Sequence, residues 1–312
     1  MDVNNGTLPK LLVVGGNGFI GRHIVMHAYE LGWQVTSLSL NLPVKKEYQG
    51  VCYLGADISD KESLSKALSQ NSFDYVVNCG GYIDHSLYSD TGRNMIDCHF
   101  TGVLNLVEII NKEHIKTFIN IGSSDEYGDL LAPQNELKRE SPISPYSLGK
   151  LASTHFLQML WRTENFPSVT LRLFLTYGPG QNYHRFLPQI IKGCLDDNSF
   201  PVSAGEQLRD FCYIKDTVIA IFTAMNCVEA RGEVINIASG QPVSIRSVIA
   251  TARKLIGKGD PKYGEIAYRS NENMELYADI SKAQALLNWE PKVNFETGLR
   301  QTIQWVKHQY EG

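Results

Sequence analysis

The chain has 312 residues, about twice the ~150 of a common domain, so one large α/β unit or two joined lobes is expected. A balance of 29 Lys+Arg against 33 Asp+Glu gives a net charge of −4, which excludes the basic footprint of a general nucleic-acid binder. Hydrophobic residues at 43% and charged ones at 20% exclude wholesale disorder, and no apolar run approaches the roughly 18 residues of a membrane span. Met1–Lys10 lacks the basic start and apolar run of a secretory signal. Six cysteines, at 52, 79, 98, 194, 212 and 227, form no Cys-x-x-Cys pair and match no zinc spacing. A reduced, cytoplasmic chain without a bound metal is expected.

Strand-like apolar runs alternate with helical patterns from the start. Lys10–Val14 leads into a helix over Gly18–Leu31, and Gln34–Leu38 and Val51–Leu54 precede a helix over Lys61–Ser69. Asp74–Cys79 precedes a long helix over Arg93–Glu113, and Thr117–Ile121 precedes another over Tyr146–Thr163, after which comes Ser168–Leu175. Short, continuously apolar strands separated by helices predict a doubly wound parallel sheet of Rossmann type, with ligands beyond the carboxyl ends of its strands.

The beat breaks at Tyr177-Gly-Pro-Gly180, a turn cluster. A helix over Arg185–Leu195 and a strand near Phe200–Val202 follow, then a strand–helix pair over Phe211–Asn226 and a strand at Val234–Ala238 that rejoins the sheet. Val243–Ile256 and Ser281–Val306 read as mostly helical. The expected organisation is a dinucleotide-binding domain over 1–175, rejoined by 211–238, and a smaller mixed α/β substrate lobe over 176–312, mainly 176–210 and 239–312.

Gly15, Gly18 and Gly21 form a G-x-x-G-x-x-G array between the first strand and its helix. Glycines there permit a tight turn and let backbone amides approach a pyrophosphate at the helix N-terminus. Gly15, Asn17, Gly18, Phe19, Ile20 and Gly21 are therefore the expected cofactor cradle. An NAD site carries an Asp or Glu about 20 residues on, to bind the ribose 2′-hydroxyl. The second strand ends instead on Ser39, with no carboxylate to repel a 2′-phosphate, so NADP(H) is favoured over NAD(H). Lys45 and Lys46 follow, as a solvated loop pair.

Tyr146-Ser-Leu-Gly-Lys150 puts a phenol and an ammonium one helical turn apart on one face. Ser123 sits at the end of a strand, in Ile121-Gly-Ser-Ser-Asp-Glu-Tyr-Gly128. An ammonium stabilises a phenolate, so Tyr146 is expected to exchange a proton with a sugar hydroxyl or ketone during hydride transfer. Ser123 would orient the reacting oxygen, and Lys150 would also hold the cofactor ribose.

With these motifs the chain resembles the extended short-chain dehydrogenase/reductase family of nucleotide-sugar epimerases, dehydratases and reductases, over nearly its whole length. The resemblance implies that Asp57 and Ile58, in Gly55-Ala-Asp-Ile58, contact the adenine. It implies that Arg209, in Leu208-Arg-Asp-Phe-Cys-Tyr213, and Arg269, in Arg269-Ser-Asn-Glu272, hold the diphosphate of a sugar nucleotide, with Arg185 and Tyr82 as further substrate contacts. Ala278-Asp-Ile-Ser-Lys-Ala283 and Leu287-Asn-Trp-Glu-Pro291 match the family's tail. A homodimer built on Arg93–Glu113 and Tyr146–Thr163 is also implied.

Three positions depart from the family. His99 replaces the usual Asn before the Gly-Thr turn, Leu175 replaces the Asn before Tyr-Gly-Pro, and Gly80-Gly81 replaces Ala-Ala, which would admit Tyr82 near the nicotinamide. After Ser123 come Ser124 and Asp125, where the dehydratases carry Asp-Glu or Ser-Glu. Asp in the Glu slot resembles the 4-keto-6-deoxy-sugar reductases such as CDP-abequose and CDP-paratose synthases, so Ser123, Ser124, Asp125, Tyr146 and Lys150 form the expected catalytic set. The expected reaction is reduction of the C4 ketone of a CDP-, GDP-, dTDP- or UDP-linked 4-keto-6-deoxyhexose. A 4-epimerase is the alternative, then a 4,6-dehydratase, and in a different class a catalytically silent dinucleotide-binding sensor.

Overall fold

The computed structural model describes residues 8–69, 71–268 and 272–311. In chain order the first half runs β1 (Lys10–Val14), α1 (Phe19–Glu30), β2 (Gln34–Ser39), β3 (Cys52–Gly55), α2 (Lys61–Leu68), β4 (Tyr75–Asn78), α3 (Arg93–Ile96), α4 (Gly102–Ile109), β5 (Thr117–Ser123), α5 (Pro145–Glu164) and β6 (Ser168–Leu173). It continues with β7 (Leu175–Tyr177), α6 (Phe186–Leu195), β8 (Ser199–Val202), β9 (Leu208–Tyr213), α7 (Ile214–Asn226), β10 (Val234–Ile237), β11 (Pro242–Ser244), α8 (Ile245–Ile256), β12 (Asp260–Tyr263), β13 (Glu275–Leu276), α9 (Ser281–Leu287) and α10 (Phe295–Glu311).

Seven strands form the main sheet in the order β10-β6-β5-β4-β1-β2-β3. The pairs β3–β2, β2–β1, β1–β4 and β4–β5 are all parallel. This is the doubly wound α/β architecture that the alternating runs predict, and its strand order reverses between β1 and β4. Ligands bind such sheets at that reversal, beyond the carboxyl ends of the strands. β1 is buried at Leu11, Leu12, Val13 and Val14, as expected of a strand covered on both faces. Leu12, Val14, Leu38, Leu64, Val76 and Leu106 share one core cluster.

The chain divides into two compact units, one of Met1–Gly128, Glu140–Arg172 and Ile221–Ile235, the other of Asp129–Arg139, Leu173–Ala220 and Asn236–Gly312. In the second unit β9 pairs with β11 antiparallel and with β13 and β7 in parallel, while β12 and β8 pair separately. Tyr177, Phe211 and Phe295 pack ring to ring there, at centroid distances of 5.4–6.0 Å.

The continuous helix expected over Arg93–Glu113 is a correction. A wide turn at Tyr88–Gly92 precedes it, a second at Asp97–Thr101 interrupts it, and it ends at Ile109. Helical periodicity does not register an extra residue inside a turn, because the apolar face on either side stays intact. Gly92 is needed there because a Cβ on it would lie 2.7 Å from Pro145 Cγ.

Candidate active site

The glycine turn sits at the carboxyl end of β1. Gly15 has φ +78°, and a Cβ there would lie 2.6 Å from the Cys79 carbonyl oxygen. A Cβ on Gly21 would run into the Gly15 carbonyl, so the start of α1 packs directly on the turn. Gly18 caps α1 in extended conformation without a side-chain hydrogen bond, and no acidic residue occupies the first turn. Phe19 and Ile20 open that helix. Uncapped amides with no carboxylate before them suit an anionic pyrophosphate. Where sequence reasoning placed a dinucleotide cradle, the backbone fits one.

Asn17 braces the turn onto β2. Its backbone N–H donates to Ser39 Oγ (3.0 Å) and its side-chain amide to the Asn41 carbonyl (2.8 Å). Ser39 thus ends β2 beside the cradle, and no carboxylate stands at that strand end. Asp57 closes the turn after β3 by accepting from Ser59 N–H and Oγ (2.8 and 2.7 Å). Ile58 is buried, and its carbonyl accepts from Asn105 (2.9 Å). Both lie past the carboxyl end of β3. Lys45 is exposed, and the nearby loop is fastened by Arg22, which pairs with Glu47 at 2.6 Å.

Ser123 is the last residue of β5 and starts a reciprocal cap. Its Oγ accepts from Asp125 N–H (3.1 Å), and its own N–H donates to Glu126 Oε1 (2.9 Å). Ser124 is buried in the same short turn. Ser144 caps α5 with Pro145 in its first turn, which fixes Tyr146 at the helix start and Lys150 one turn on. Both side chains are buried. Lys150 Nζ donates to the Ile121 carbonyl (2.7 Å), so the ammonium lies against the end of the strand that carries Ser123. Burial lowers the Lys150 pKa, against the raising pull of Glu126.

Glu126 is the residue that sequence reasoning passed over. It is fully buried and also accepts from Thr154 Oγ1 (2.9 Å) and Arg172 Nε (2.9 Å). Arg172, equally buried, reaches Glu140 at 2.6 Å and lies over the Tyr127 ring at 4.6 Å. The Ser123-x-x-Glu126 spacing is a capping-box signal legible in the sequence. No local pattern announces its partner, 46 residues on.

Two imidazoles flank the Tyr146 ring edge-on, His99 at 4.9 Å and His85 at 5.7 Å between centroids. His99 is buried, with Nε2 2.8 Å from the Tyr82 carbonyl oxygen. Its pKa is pushed down to about 3, first by burial and second by the Lys150 ammonium. The second glycine of the Gly80-Gly81 pair has a steric reason here. Gly81 has φ +105°, and a Cβ on it would strike the His99 ring. The glycine makes room for the imidazole, while the Tyr82 side chain itself is exposed.

His99 implies a pH-dependent stability. With a folded value near 3 against an ordinary 6.5, the unfolded chain takes up a proton in that window and the native one does not. Stability is therefore full above the upper value and falls as pH is lowered through the window. His99→Asn is expected to flatten this trend, read as Tm from about pH 7 to about pH 4.5. Parallel Tm curves for the two proteins would overturn the assignment.

The remaining expected residues belong to the second unit. Arg209, in β9, pairs with Glu272 at 2.5 Å and donates to the Leu208 carbonyl. Neighbouring Asp210 is buried and accepts from Ser239 N–H and Oγ, Gly240 N–H and Ala278 N–H. Arg185 caps α6 and is exposed. Arg269 lies outside the described residues.

The NAD dependent epimerase/dehydratase family matches residues 11–238, most of the chain. The chain belongs to this family. It is 27% identical to a dTDP-glucose 4,6-dehydratase of Shigella flexneri, over 95% of this chain and 92% of that protein. It is also 27% identical to a UDP-glucuronate 4-epimerase of Thermodesulfobacterium geofontis, over 96% of this chain and 97% of that one. Among solved structures, the UDP-glucuronic acid 4-epimerase from Bacillus cereus, in complex with UDP-glucuronic acid and NAD, superposes with a TM-score of 0.84 at 27% identity, covering 96% and 100% of the two chains. As a member of the epimerase/dehydratase family the protein is an NAD(P)-dependent enzyme, with an oxidoreductase or epimerase activity.

Proposed function

We infer that this enzyme transfers hydride at C4 of a nucleotide-linked hexose, with Ser123, Tyr146 and Lys150 handling the proton. The observation that carries the reading is the buried Lys150 ammonium, whose Nζ donates to the Ile121 carbonyl two residues before Ser123 at the end of β5, with the buried Tyr146 one helical turn before it on α5. The nicotinamide supplies or accepts the hydride when bound. Tyr146 gives its phenolic proton to the C4 oxygen or takes one from it. Ser123 hydrogen-bonds that oxygen, and Lys150 lends positive charge to the phenol from a site closed to water. Arg209 is the proposed diphosphate contact of the second unit, by exchange of Glu272 for phosphate oxygens.

Within that chemistry our reading is a ketoreductase that consumes NADPH on a 4-keto-6-deoxyhexose. Support comes from Ser39, which ends β2 with a hydroxyl where a carboxylate would repel a 2′-phosphate. The competing reading is a 4-epimerase or 4,6-dehydratase that keeps its NAD, and the names of the relatives favour it. Absorbance at the reduced-nicotinamide band separates them. Stoichiometric loss of NADPH with a nucleotide-linked 4-keto-6-deoxyhexose is expected. Interconversion or dehydration of a 4-hydroxy sugar nucleotide with no net absorbance change would replace the reductase by its competitor.

The cofactor half of the reading has its own test. Ser39→Asp keeps an oxygen to accept the Asn17 N–H but sets a carboxylate against the 2′-phosphate. NADPH affinity is expected to fall about 10²-fold, since like charges juxtaposed at an interface cost several kcal/mol. Calorimetric titration of NADPH and NADH against both proteins reads the outcome. Tighter binding of NADH by the unaltered chain would reverse the preference.

A further inference from the structure

The two imidazoles beside Tyr146 differ in burial and in the groups that face them. His99 is buried, tied to the Tyr82 carbonyl and held neutral. His85 sits in the segment after β4, with its side chain 46% exposed and Nε2 3.7 Å from Asp125 Oδ2. Asp125 stands two residues after Ser123, its N–H fastened to the Ser123 hydroxyl. Three protic groups that interact with Lys150, one helical turn from Tyr146, are committed or closed. Glu126 serves Ser123, Thr154 and Arg172, and burial pushes the Cys79 thiol up to about 12 and the Cys98 thiol up as well. His85 with Asp125 is then a solvent-reaching acid–base pair placed against the phenol.

We propose that His85, oriented by Asp125, is a second acid–base residue that moves a proton at the carbon next to the carbonyl while Tyr146 and Ser123 hold the carbonyl oxygen. The proposal rests on the reaction at C4 argued above. The neutral imidazole takes the hydrogen on C5 of a 4-keto hexose as a proton. The C–H electron pair becomes the C4=C5 bond of an enolate, whose charge falls on the C4 oxygen and is met by the Tyr146 and Ser123 hydroxyls. The imidazolium exchanges its proton with water and returns one to C5. No bond to a leaving group breaks and nothing is oxidised or reduced, so the net event is exchange of the C5 hydrogen with solvent.

The test is incubation of the full chain in D2O with dTDP- or UDP-linked 4-keto-6-deoxyglucose and no reduced cofactor, following the C5 proton by NMR against an enzyme-free control. Reduction of the same ketone by NADPH is measured separately. Wild-type protein is expected to exchange C5, and His85→Gln to lower exchange relative to reduction by about 10²-fold. Added imidazole should restore part of the exchange in His85→Ala, and Asp125→Asn should weaken exchange less than His85→Gln. Reduction without exchange in the wild type would overturn the proposal. So would equal loss of exchange and reduction in His85→Gln with no rescue by imidazole, because His85 would then be structural. Exchange without reduction supports the role of His85 and rejects the ketoreductase reading instead.

Discussion

Tyr146→Phe is expected to lower kcat by about 10²–10⁴-fold, the usual worth of a positioned general acid. The ring is buried and packed between His85 and His99, so phenylalanine keeps that packing and only the hydroxyl is lost. Tm and dinucleotide affinity should therefore hold while turnover falls, which distinguishes a chemical role from a structural one. Lys150→Ala should lower turnover and cofactor affinity together, because its ammonium lies against the Ile121 carbonyl and is also the expected ribose contact. A Tyr146→Phe protein with more than about a tenth of wild-type kcat would remove the phenol from the mechanism.

Arg172→Met is expected to cost about 3–5 kcal/mol of stability, measured by urea unfolding. Arg172 is fully buried, with Nε 2.9 Å from Glu126 and a terminal nitrogen 2.6 Å from Glu140. Truncation leaves the Glu126 carboxylate inside the protein without its counter-charge, and that penalty is larger than the net worth of the intact pair. Glu126 also holds the Ser123 backbone, so surviving folded protein should show a lower kcat as well. The pair Arg300–Glu296, exposed on α10, is the control and should change stability little when broken. Near-equal effects of the two substitutions would show that the buried network is not what anchors the end of β5.

The two expectations draw on different ranges of information. Tyr146, Lys150, Ser123 and the glycine turn were legible because each depends on a local device: a helical turn, a capped helix start, a strand end, a backbone that tolerates no Cβ. Ser39 was legible for the same reason, since the length of β2 brings its end beside the cradle. The parallel sheet was implied by alternation of apolar runs with helices, because parallel strands need crossovers. The wide turns between Tyr88 and Thr101 were not legible, since one extra residue in a turn leaves the apolar periodicity on both sides intact.

From the residues alone came the doubly wound α/β class, the family resemblance, and the candidate cradle and Ser–Tyr–Lys group. Tertiary structure alone decided the surroundings of the phenol. Burial made His99 neutral, its ring required Gly81 to lack a side chain, and Asp125 was set 3.7 Å from His85. Tertiary structure also joined Glu126 to Arg172, 46 residues apart. Each is a meeting of groups from different segments, governed by desolvation and by distances that close only when β4, β5, β6 and α5 are packed together. Local pattern carries the geometry of one element at a time, whereas charge state and counter-charge depend on what the other elements bring.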